Sequence, residues 1–127
     1  MKKYAYPASA DDYRQLARRR LPQFLFDYVD GGATDESTLA ANVTDWQSVS
    51  LRQRVLIDVN RIDTSTTLIG QHCSMPLALA PVGLAGMLAR RGEVQAARAA
   101  AALSVPFTLS TVGICSVDEV QAATPVP

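Results

Sequence analysis

The chain has 127 residues, 48% hydrophobic and 19% charged, with a formal net charge of 0. That is the composition of a globular protein, and its balanced charge offers no basic excess for a nucleic acid partner. No apolar run reaches the roughly 18 to 20 residues that a membrane-spanning helix needs, and no signal peptide opens the chain, so a cytoplasmic location is expected.

The first 74 residues read as a helical lead-in. Ser9 with Asp12 makes a capping box ahead of a helix from Asp12 to Arg19, whose apolar face is Tyr13, Leu16 and Ala17. Arg18, Arg19 and Arg20 close that helix, where cations complement the dipole; contact with phosphate or an anionic membrane surface is the alternative. Pro22 opens a second helix with Phe24, Leu25, Tyr28 and Val29 at helical spacing, and Gly31-Gly32 stops it. Asp35 and Glu36 begin a third helix that runs to about Asn42. Short strands are expected at Val49 to Leu56 and at Thr66 to Ile69, with a turn at Gly70. His72 then falls in a polar turn, QHCS.

Residues 75–127 carry a different pattern. Leu77 to Ala80 is an uninterrupted apolar run, the signature of a parallel strand covered on both faces. Pro81 ends it, and Gly83 and Gly86 let the backbone turn tightly and approach a ligand. An alanine-rich helix from Glu93 to Leu103 follows, with Val94, Ala97, Ala101 and Leu103 on or near one face. Phe107 to Leu109 is the next strand, ending in Ser110-Thr111, where parallel α/β folds place groups that contact ligands. This is one βαβ unit. Two parallel strands make no stable sheet alone, so the reading is the first two βα units of a (β/α)8 barrel, a fold of about 250 residues that is incomplete in this chain. Ala122 to Pro127 stop where a third strand is expected. Cys73 and Cys115 lack metal-type spacing and read as reduced structural thiols.

Five segments, LPQFLFDYVDGGATDE, LRQRVLIDV, SMPLALAPVGLAGM, ARRGEVQAARAA and PFTLST, resemble the N-terminal third of the FMN-dependent L-2-hydroxy acid dehydrogenases and oxidases. Within that family the resemblance is strongest to the bacterial L-lactate dehydrogenases, and it covers the chain from about Ala10 to its end. It implies a TIM barrel preceded by helices, FMN held at the C-terminal mouth, and oxidation of an L-2-hydroxy acid to the 2-oxo acid. It also implies a homo-oligomer at full length, a quinone or other electron acceptor, and peripheral association with the inner face of the cell membrane.

The resemblance assigns roles residue by residue, each beside a plainer reading. Tyr28 matches the tyrosine that hydrogen-bonds the substrate carboxylate; helical spacing alone would put its ring in the core. Ala80, Pro81, Val82 and Gly83 match the loop whose backbone lies against the isoalloxazine ring, although the same residues also suit a simple strand-ending turn. Ser110 matches a hydroxyl that hydrogen-bonds the flavin, and as a local feature it would cap the next turn. Glycine at position 83 goes with dehydrogenases that pass electrons to quinones or other carriers, alanine with oxidases that use oxygen. The family's histidine base, carboxylate-clamping arginines and flavin-side lysine are expected beyond Pro127, as is the phosphate grip, so the chain alone is expected to be inactive. His72, on the side of the barrel away from the mouth, cannot come within the roughly 3 Å that a base needs. Two other readings stand beside this one. One is a catalytically incompetent truncated product or docking module; the other is an unrelated small βα protein with a phosphate-binding glycine loop, which lacks GxGxxG and Walker spacing.

Overall fold

The computed structural model describes residues 7–124 and divides into two compact units, with the boundary between Leu56 and Ile57.

In the first unit, α1 (Ala10–Arg20) starts where the capping box dictates. The Ser9 hydroxyl accepts from the Asp12 amide at 3.2 Å, and the Asp12 carboxylate accepts from the Ser9 and Ala8 amides at 3.1 and 3.0 Å. Because Ser9 is the cap, the helix begins at Ala10, two residues ahead of the expected start. The second helix, α2 (Gln23–Asp30), has Pro22 as its cap and buries Leu25 and Phe26. Phe24, Tyr28 and Val29, expected on the packed face, are exposed. Arg14 of α1 grips Asp30 of α2 through Nε and through Nη2, the latter at 2.9 Å, a two-pronged pair that lowers the carboxyl's pKa. Residues Ser37–Thr44 form α3, preceded by Glu36 in the left-handed region, and a 3-10 turn follows at Asp45–Ser48.

The strand expected at Val49 to Leu56 is absent: the segment has no regular secondary structure and bends at Leu56, whose φ is 60°. A strand exists only through a ladder partner, and this stretch has none among the described residues. Its apolar side chains stand in solvent, Leu51 at 94% and Leu56 at 102% exposure.

In the second unit, β1 (Thr66–Leu68) pairs antiparallel with β2 (Gln71–Cys73), Thr67 opposite His72. Ile69 and Gly70 make the two-residue turn between them with φ of 51° and 77°, the doubly positive conformation that suits a hairpin. His72 therefore lies on a strand, which corrects the expected polar turn. The two expected parallel strands are joined by one parallel bridge, Leu79 to Phe107. The Leu79 amide donates to the Pro106 carbonyl at 2.8 Å, and the Thr108 amide to the Leu79 carbonyl at 3.1 Å. Pro81 and Pro106 have no N–H to donate, so the ladder between them stays short.

A short helix, α4 (Ala85–Leu88), and the alanine-rich α5 (Gly92–Ala102) follow the first bridged segment, and α6 (Val117–Ala123) follows the second. The buried face of α5 is Val94, Ala97 and Ala100, while Leu103 is exposed. Val94 and Ala97 form the core with Cys115 and Val120, and Phe107, Leu109 and Ala123 pack against it. A second capping box, Ser116 with Glu119, starts α6. Both cysteines are buried free thiols. Of the closing residues, Ala122 and Ala123 end α6, and residues 125–127 lie outside the described residues.

Candidate functional site

The first bridged segment delivers its chain into the loop Ala80–Leu84, and the second delivers its chain into Ser110–Ile114. Ala80, Pro81 and Val82 are exposed and Gly83 is half-buried. Among the described residues, the Ala80 carbonyl and the Val82 and Gly83 amides take no hydrogen bond within the protein. The two loops touch where the Leu84 amide donates to the Val112 carbonyl at 3.2 Å. Leu84 adopts φ 54° to make that turn, whereas Gly83 is outside the positive-φ region.

Ser110 is half-buried. Its hydroxyl oxygen accepts from the Val112 amide at 3.2 Å, and its carbonyl accepts from the Gly113 amide at 3.0 Å. The turn-capping reading is thus realised, and it consumes only an acceptor lone pair, leaving the hydroxyl hydrogen to donate elsewhere. Ala80, Val82 and Ser110 line one concavity of about 300 Å³ together with Leu79, Phe107 and Thr108 and, from α4 and α5, with Ala85, Glu93 and Ala96. Three of the five residues expected near the cofactor therefore share a wall. Gly83 and Pro81 sit in the same loop without lining it.

Glu93 is the functional-site neighbour that the sequence reading missed. The sequence marks it only as the start of a helix, yet it is the one buried charged residue among the described residues, 2% exposed. Its Oε1 accepts from the Gly86 amide at 2.9 Å and from the Ile114 amide at 2.8 Å. Burial pushes its pKa up, but the amides of Ile114, Glu93 itself and Gly86 and the nearby Cys115 thiol overcome that and hold it at about 2. Burial and this carboxylate together push the Cys115 thiol up. The signal available in sequence was slight: a glutamate in the first turn of a helix reads as a dipole partner on the surface.

Tyr28 belongs to the first unit. It is 60% exposed, so its ring is not core, and its hydroxyl has no protein partner among the described residues. The larger concavity of that unit, about 450 Å³, is lined by Asp11, Arg14, Gln15, Arg18, Arg19 and Phe26 and holds none of the expected site residues. His72 is remote from the loop Ala80–Leu84 along the fold: Ser74, two residues on, donates its amide to the Ser104 carbonyl at 3.1 Å, at the ends where both bridged segments begin. Among the described residues, no cluster of three histidine, cysteine or acidic side chains could hold a metal.

The model of the family described as FMN-dependent dehydrogenase matches residues 17–127. The chain belongs to that family. L-lactate dehydrogenase of Caulobacter vibrioides is 62% identical over 120 residues, which cover 94% of this chain and 31% of that protein. L-lactate dehydrogenase of Haemophilus influenzae is 60% identical over 116 residues, covering 91% of this chain and 30% of that protein. Among solved structures, a soluble mutant of the membrane-associated (S)-mandelate dehydrogenase from Pseudomonas putida superposes with a TM-score of 0.83 at 38% identity, over 88% of this chain and 32% of that one. A mandelate oxidase gives 0.86 at 33% identity, over 93% and 34%. These neighbours are TIM-barrel enzymes, and the mixed helix-and-strand fold of this family member agrees with them. The chain spans about a third of the length of the relatives it matches.

Proposed function

We propose that this segment is the N-terminal part of a flavoprotein oxidoreductase that oxidises L-lactate or a related L-2-hydroxy acid to the 2-oxo acid. The observation that carries the reading is the concavity shared by Ala80, Val82 and Ser110, beside backbone groups that have no internal partner. A flat isoalloxazine ring needs a wall of little side-chain bulk together with polar backbone groups, and the residues present fit it. The loop Ala80–Gly83 would lie against the ring, its amides and carbonyl meeting the ring's polar edge, and the Ser110 hydroxyl would donate to it. Bound there, FMN would supply the two-electron acceptor for the hydrogen lost from the substrate's C2. Tyr28 would donate its hydroxyl hydrogen to the substrate carboxylate and so fix the acid's orientation.

In this reading residues 1–74 are the lead-in and residues 75–127 the first two βα units of the barrel. The electron acceptor is a quinone or another carrier, a choice supported by the absence of a side chain at Gly83. The full-length protein is a homo-oligomer associated peripherally with the inner face of the membrane. The membrane part draws support from a neighbour described as a monotopic membrane protein, (S)-mandelate dehydrogenase, with a TM-score of 0.82 at 37% identity. No helix among the described residues is long and apolar enough to cross a membrane.

The test is a flavin absorbance spectrum of the full-length protein that carries this segment, before and after anaerobic L-lactate. Oxidised-flavin bands that bleach on addition are expected. A colourless protein, or bands that no 2-hydroxy acid bleaches, would refute the reading.

A further inference from the structure

We propose that Glu93 is a positioning residue: its buried carboxylate clamps the loops at Gly86 and Ile114 so that Ala80–Gly83 and Ser110 present one surface to the flavin. The inference rests on the functional reading above, but the geometry behind it is independent of that reading. One oxygen, Oε1, accepts from the Gly86 amide, in α4 just after the first loop, at 2.9 Å and from the Ile114 amide, at the end of the second loop, at 2.8 Å. The Leu84 amide to Val112 carbonyl contact is a second tie between the same two segments. Together these bonds fix the loop after the first bridged segment against the loop after the second, six and four residues from Ala80 and Ser110.

The choice of residue type is informative. An apolar side chain would fill this buried position without the cost of desolvating a charge. It would also leave the Gly86 and Ile114 N–H groups unpaired, one of them in the first turn of α4 where no helical carbonyl can serve it. Close packing around the carboxylate has been kept as well. A Cβ on Gly86 would stand 3.0 Å from Glu93 Oε2 and 2.7 Å from the Ile114 Cβ, so glycine is what lets the two loops close on the carboxylate. Oε2 itself has no partner among the described residues. The side chain is held for the two bonds of its other oxygen.

The experiment uses the flavin-loaded full-length protein carrying this segment, with Glu93→Ala and Glu93→Gln. The amide of glutamine keeps an oxygen that can accept from both N–H groups, whereas alanine keeps nothing. A loop pair that is correctly arranged a tenth of the time binds tenfold more weakly, so Glu93→Ala should raise the FMN Kd about tenfold or more and alter the visible circular dichroism of the bound flavin. Glu93→Gln should restore both to near the unaltered protein. In the unaltered protein, the Gly86 and Ile114 amides should exchange with deuterium together and slow together as FMN is added, a measurement that stands even where Glu93→Ala fails to fold. An FMN Kd unchanged in folded Glu93→Ala, or no rescue by Glu93→Gln, would overturn the clamp, as would Gly86 and Ile114 amides that exchange independently of each other and of FMN. Absence of flavin from the unaltered protein would instead overturn the functional reading, and the clamp with it.

Discussion

Glu93 makes a quantitative demand on how stability varies with pH. Its pKa falls from an ordinary 4.5 to about 2 in the folded protein. A carboxyl whose folded pKa is depressed contributes stability that is fully present above the unfolded value and is lost as pH falls through the folded one. At about 1.36 kcal/mol per unit of pKa, the contribution is about 3 kcal/mol at neutral pH, lost between about pH 4.5 and 2. Glu93→Gln removes the titrating group while keeping an acceptor oxygen, and its unpaired amide hydrogens add an offset that does not depend on pH. Urea unfolding of both proteins in the full-length, flavin-free form, from pH 3 to pH 7, should therefore give a stability gap that is constant above pH 5 and shrinks below it. By pH 3 the titrating part of the gap should be less than half its neutral value. Every other carboxyl is common to both proteins and cancels. A gap that stays level from pH 7 to pH 3 would refute the assignment of a charge-dependent bond network to this residue.

Gly86→Ala places a methyl group 2.7 Å from the Ile114 Cβ, so thermal or urea unfolding should show a loss of about 1 to 3 kcal/mol from overpacking. On the proposed role of Tyr28, Tyr28→Phe in the full-length protein would remove one hydrogen bond to a charged carboxylate, worth about 1.5 to 3 kcal/mol, and kcat/KM for lactate should fall roughly ten- to a hundredfold with flavin still bound. Gly83→Ala meets no positive-φ penalty, so stability should change by less than about 1 kcal/mol while the ratio of flavin reoxidation by oxygen and by a quinone analogue moves. Residues 1–127 expressed alone should aggregate or melt without a sharp transition, because one parallel bridge leaves strand edges and apolar side chains such as Leu77 and Val112 uncovered. A cooperative monomeric transition by calorimetry would count against this.

Local chemistry was legible where the residues that decide it are neighbours in sequence. The Ser9–Asp12 capping box, the stop near Gly31, the turn at Gly70 and the helix over residues 92–102 all follow from bonds or rotations within four residues. Extended segments were less legible, because a strand is a relation between distant stretches. Val49 to Leu56 has strand-like side chains and no partner, while Leu77 to Ala80 has a partner but proline at the borders of its ladder. The helical faces failed in a related way: spacing placed Tyr28 and Leu103 in the core, and the neighbours available in each unit left both exposed.

The candidate site was illegible from periodicity for a further reason. Its useful groups are backbone carbonyls and amides of Ala80, Val82 and Gly83, and a backbone group has no letter of its own in a sequence. Small residues announce only that something is allowed to come close. What positions those groups is a glutamate ten residues downstream of Gly83, whose Oε1 finds one amide seven residues before it and another twenty-one residues after it. Gly86 lies in α4, Glu93 in α5 and Ile114 in the loop before α6, so no periodicity within a single helix or strand would join them. The resemblance to FMN-dependent dehydrogenases could name residues of the proposed wall, since Ala80 and Val82 lie in one of its short segments and Ser110 in another. The fold was needed to find the carboxylate that shares that concavity, and with it the reason that a charge is worth burying there.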